Sequence, residues 1–81
     1  MSHTPHELAD EFPHAVDILH ELKCDNGHFQ TLSEQYHHTN REIHRIESGV
    51  DAASDVRMED LKKRRLSLLD QIGEMITATS G

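Results

Sequence analysis

His20, Cys24 and His28, spaced by four, are the first place in this chain where chemistry could reside. Imidazole and thiolate are the donors of tetrahedral Zn²⁺ sites, and this spacing stacks them on one helical face. Asn26-Gly27 breaks that helix before His28, so the three are weak metal candidates and no metal or other cofactor is expected. All eight histidines lie between residues 3 and 44. His37 and His44 share a stripe facing solvent, with His38 beside them; in an oligomer such a row could bind metal between subunits. Solvated surface histidines are the simpler account. Protonating all eight moves the formal charge from −7 to +1, so charge and solubility should respond to pH around about 6.

The run Lys62-Lys63-Arg64-Arg65 is the second candidate, for nucleic acid. Four consecutive helical residues point about 100° apart, so they make no single flat patch. Acidic residues Asp55, Glu59, Asp60 and Asp70 surround them, and Glu59 to Lys63 is an i, i+4 pair. A solvated, salt-bridged face is the expectation. Catalytic constellations are missing: there is no Gly-rich phosphate loop and no Ser-His-Asp or Cys-His set. Cys24 beside Lys23 has nothing near it to orient a substrate. Neighbouring carboxylates such as Asp10-Glu11 and Glu59-Asp60 lack the burial that tunes acid–base groups. No enzyme is expected.

What must position these residues is small. Eighty-one residues with 35% hydrophobic and 4% aromatic content make one domain, 1–81, too short for a deep cleft. A single Cys excludes an intrachain disulfide and fits a reducing compartment. Stability must therefore come from metal, regular helix packing or an oligomer. The charge of −7 argues against specific nucleic-acid or anionic-membrane binding. No apolar run spans a bilayer, and Met1-Ser2-His3-Thr4-Pro5 lacks a secretory signal, so a cytoplasmic address is expected.

Helix punctuation is sparse. Thr4-Pro5-His6-Glu7 has the form of a capping box opening the segment 1–12. Pro13 ends anything begun there and suits the first position of a short helix over 13–24, carrying Ala15, Val16, Ile18, Leu19 and Leu22. Asp25-Asn26-Gly27 closes that helix and caps a long one over 27–47, which ends at Ser48-Gly49. Asp51 or Ser54 can cap a last helix over 54–77, with Thr79-Ser80-Gly81 expected to fray.

Period is the strongest signal. Phe29, Leu32, Tyr36, Thr39, Ile43, Ile46 and Val50 alternate spacings of three and four, and so do Met58, Leu61, Arg65, Leu68, Ile72, Met75 and Thr79. Such spacing keeps one stripe facing a partner, and the short loop makes the two helices antiparallel. The predicted fold is all-α: a coiled-coil-like helical hairpin preceded by a short N-terminal helix, assembling into a bundle. Pairing Ile43 with Leu61, Tyr36 with Leu68 and Phe29 with Met75 brings the one polar break of each stripe, Thr39 and Arg65, into the same layer. That layer is expected to fix the register, with Glu42 or the Tyr36 hydroxyl within reach of Arg65. A second stripe, Leu66, Leu69, Gly73 and Ile76, lies on the last helix. Either the first short helix or another copy must cover it, and another copy is favoured.

Phe29-x-x-Leu32, then Glu42-Ile43-x-Arg45-Ile46-Glu47-x-Gly49, then Asp60-Leu61-Lys62-Lys63-Arg64-Arg65-Leu66-x-Leu68-x-Asp70-x-Ile72, over roughly residues 14 to 76, resembles the YdcH-like family of short bacterial proteins, a domain of unknown function. Leu69-Asp70-Gln71 replaces that family's usual Lys-Asp-Glu, and Gly27 stands where Pro is often found. The resemblance implies a helical hairpin, cytoplasmic and oligomeric, with no catalytic residues to carry over. The chain is thus expected to act by self-association, or as an adaptor for an unidentified protein partner. The alternatives are a metal-responsive module using the N-terminal histidines and a weak nucleic-acid accessory.

Overall fold

The computed structural model describes residues 7–80, and four helices follow one another there: α1 (Leu8–Glu11), α2 (Val16–Asp25), α3 (Gly27–Glu47) and α4 (Asp55–Ser80). Among the described residues there is no strand. The fold is an all-α hairpin of α3 and α4, packed along each other, with α2 lying against both and α1 against α2. The molecule measures 41 × 29 × 20 Å.

Local chemistry sets the helix ends. Asn26 is the N-cap of α3, where its Oδ1 accepts a hydrogen bond from the Phe29 N–H at 2.9 Å. At the other end the Val50 N–H donates to Arg45 O and the Gly49 N–H to Ile46 O, the double bond pattern of a Schellman stop. That stop needs a left-handed residue, and Gly49 supplies it with φ of 84°. Ser54 caps α4 by accepting from the Arg57 N–H at 3.1 Å. Asp51, the other capping candidate, instead pairs with Arg45 at 3.0 Å.

Two boundaries differ from the sequence reading, the start of α2 and the end of α4. Pro13 does not start α2; the Ala15 N–H donates to Phe12 O at 3.0 Å, so Pro13 sits second in a tight turn and α2 begins at Val16. The fixed φ of proline suits that turn position as well as a first helical one. The capping box at Thr4 lies outside the described residues except for Glu7, which precedes α1 without a side-chain cap bond. Finally, α4 runs on through Thr79 to Ser80, while Gly81 lies outside the described residues. The Thr77 and Thr79 hydroxyls bond back to Gly73 O and Met75 O within that last stretch.

The apolar core is lopsided. Phe29, Leu32 and Tyr36 of α3 meet Leu68, Ile72 and Ile76 of α4, and Leu8, Leu19 and Leu22 close over them from α1 and α2. Ile43 and Leu61 are also buried but stand apart from this cluster, nearer the loop. Between the two apolar regions lies a polar layer of Thr39, Asn40 and Arg65. The sequence stripes thus describe the seam, and the polar residues divide it.

Candidate functional site

The second α4 stripe is not left bare as one strip. Ile76 is 8% exposed and belongs to the core. Phe12, delivered by the Pro13 turn, lies over Gly73; a Cβ built there would stand 3.6 Å from Phe12 Cε1. Leu69 is half-buried against the same cluster. Leu66 remains 60% exposed. The N-terminal segment therefore covers the C-terminal half of the stripe, which corrects the expectation that all four residues await a second copy. The sequence signal for this was Phe12 itself, a large apolar residue immediately before a proline.

What remains open is an elongated surface on the outer side of α4. One groove, about 910 Å³, is floored by Phe12, Leu66, Leu69, Gly73 and Ile76 and walled by Glu11, Asp70 and Glu74. A second hollow of about 410 Å³ continues on the far side of Leu66, between Met58, Lys62 and Lys63. Leu66 is common to both, so a large apolar side chain stands at the centre of a surface with acidic walls at one end and, at the other, Lys62 and Lys63 beside Asp55 and Glu59.

The basic run is spread around the helix, as its spacing requires. Lys62 reaches Glu47 at 3.7 Å, Lys63 reaches Glu59 at 3.2 Å, and Arg64 borders a hollow beside Glu34 and His38. Arg65 turns inward and donates from Nη1 to Asn40 Oδ1 at 3.0 Å. Of the acceptors expected from sequence, Glu42 is engaged by Arg57 at 3.0 Å. Asn40 lay off the apolar stripe, so its burial was not visible in the spacing. Next to this layer, Tyr36 is fully buried; burial pushes its phenol up to about 12, with Glu11 raising it further and Arg65 opposing.

The histidines do not converge. Cys24 Sγ and His20 Nε2 approach to 3.9 Å on the exposed side of α2, whereas His28 follows the Asn26 break on a different helix. Among the described residues no three His, Cys, Asp or Glu side chains are grouped to hold an ion. His37 instead contacts Glu7 at 3.1 Å, tying α3 to the start of α1. Among the described residues no helix is long and apolar enough to cross a membrane.

The part of the chain that carries the hairpin, residues 29–76, matches the model of a family described as a protein of unknown function, DUF465. The chain belongs to the DUF465 family. This is the YdcH-like family that the hairpin motifs resemble. The DUF465 match opens at Phe29, rather than near residue 14, and so takes in α3, the loop and most of α4. Phe12, α1 and α2, which cover the end of the α4 stripe, lie outside it. No curated protein and no solved structure matches the chain significantly.

Proposed function

We propose that this DUF465 protein is a non-catalytic helical module that works by association through the outer face of α4, first with copies of itself and through them as an adaptor for a larger partner. The observation that carries this is Leu66, a large aliphatic side chain 60% exposed where two surface hollows meet. Isolated exposed leucines are ordinary, but this one continues an apolar floor formed by Phe12, Leu69 and Gly73. Helix faces with such anchors are recognised by laying a second helix along them. A cytoplasmic address is part of the same reading, since Cys24 is an exposed free thiol.

Leu66→Asp tests the reading. The substitution sits at an exposed position, so helicity by circular dichroism should be retained. Light scattering should show the native chain as an oligomer and the variant at the mass of one chain. An unchanged mass removes α4 as the interface.

A further inference from the structure

We propose that two copies pair through α4 in an antiparallel, two-fold arrangement centred on Leu66, placing Lys62 of each protomer against the partner's Asp70. The proposal rests on the reading of α4 as the association face and adds to it the identity and direction of the occupant.

Three observations converge. The outer face of α4 carries its own seam: Glu59, Lys62, Leu66, Leu69, Gly73 and Ile76 alternate spacings of three and four, the pattern of a helix that packs on a helix. Phe12 covers the C-terminal end of this seam at Gly73, and Ile76 is buried. The free stretch that remains has Leu66 as its exposed apolar point. In a closed dimer the same patch serves both protomers, and an axis through this point lets Leu66 pack on its own copy.

Charge then decides direction. Lys62 lies four residues before Leu66 and Asp70 four after, so both stand one turn from the axis on the same side of the helix. An antiparallel mate puts Lys62 opposite the partner's Asp70, while a parallel mate stacks lysine on lysine. Farther out, Lys63 comes opposite Leu69, Glu59 opposite Gly73 and Glu74 opposite Met58, so the pairing of Lys62 with Asp70 is the charge contact that sets the direction. Asp70 and Glu74 are both exposed and have no ion-pair partner among the described residues. The lysines do have partners, Glu47 at 3.7 Å and Glu59 at 3.2 Å. Those pairs are solvent-exposed and contribute little, so they can be exchanged for contacts across the axis.

Charge reversal on the full chain separates this geometry from association in general. Both positions are exposed, so the variants should keep native helicity. K62E and D70K should each weaken self-association at least tenfold by sedimentation equilibrium at low salt. Mixed in equal amounts they should form a heterodimer, since both contacts then pair acid with base. The chain carrying both reversals should dimerise like the native one. If Leu66→Asp yields monomers while K62E associates as the native chain does, the antiparallel charge pairing is wrong and the α4 reading stands. If Leu66→Asp retains the native mass, or the native chain is monomeric throughout, both fall.

Discussion

Asn40 and Arg65 join the two long helices by a hydrogen bond of 3.0 Å at the level where the apolar seam is interrupted. Asn40 is 2% exposed and Arg65 half-buried, so the guanidinium head meets its acceptor inside the hairpin. A bond from a charged donor to a buried acceptor is among the stronger ones, and leaving the acceptor short of it is costly.

Arg65→Leu should therefore destabilise the fold by about 1–2 kcal/mol in urea denaturation. Replacing Thr39, Asn40 and Arg65 together by Leu should restore or exceed native stability, while chromatography shows more than one species. A polar layer in a helical seam favours one alignment by penalising the others. A single species of native mass from the triple variant would remove the register role from this layer.

Gly73 carries a second prediction. A Cβ there would meet Phe12 at 3.6 and 3.7 Å, which is ordinary contact rather than a clash. Gly73→Ala should thus gain helix propensity of about 0.5–1 kcal/mol and raise Tm. Gly73→Leu has no such space beneath the ring and should lower Tm by displacing Phe12. Equal Tm changes for the two would mean that Phe12 does not rest on this position in solution.

Tyr36 supplies a spectroscopic readout, because it is the single tyrosine in a chain without tryptophan. Its phenol, held up to about 12 by burial, ionises near 10 once the chain unfolds. The folded state holds the proton more tightly, so this contribution to stability is complete below pH ~10 and is lost as pH rises toward ~12. Two units correspond to roughly 2–3 kcal/mol. Ultraviolet titration in native buffer and in urea should give two separated midpoints; a native midpoint near 10 contradicts the burial.

Asn26→Ala removes the side-chain acceptor for the Phe29 N–H and should cost ~1 kcal/mol by thermal denaturation. Asn26→Asp should keep most of it, since the carboxylate accepts the same bond and suits the positive end of the α3 dipole.

The hairpin was readable because Phe29, Leu32, Tyr36, Leu68 and Ile72 hold a strict stripe, and a stripe states which side of a helix is covered. Its flanks were not. Asn40 and Ser33 are buried beside the stripe, hidden by residues distant in sequence, and periodicity carries no information about such cover. Pro13 was ambiguous for a different reason: the same ring geometry opens a helix or a turn, and only the Ala15 to Phe12 bond decides between them. That choice in turn determined where Phe12 went and how much of the Leu66, Leu69, Gly73 and Ile76 stripe stayed open. The metal candidates were limited by the break that the sequence already displayed, at Asn26-Gly27.

The lopsided core has a kinetic consequence. Its main apolar groups, Phe29 and Leu32 of α3 and Ile72 and Ile76 of α4, lie far apart along the hairpin, while the loop end is flanked by exposed Val50 and Val56. Zipping from the loop meets only Ile43 and Leu61 before the polar layer, so most hydrophobic burial waits on closing a long stretch of chain, which slows folding for a helical protein of this size. Once formed, the same arrangement makes the turn the first region to open and the far ends the last to let go.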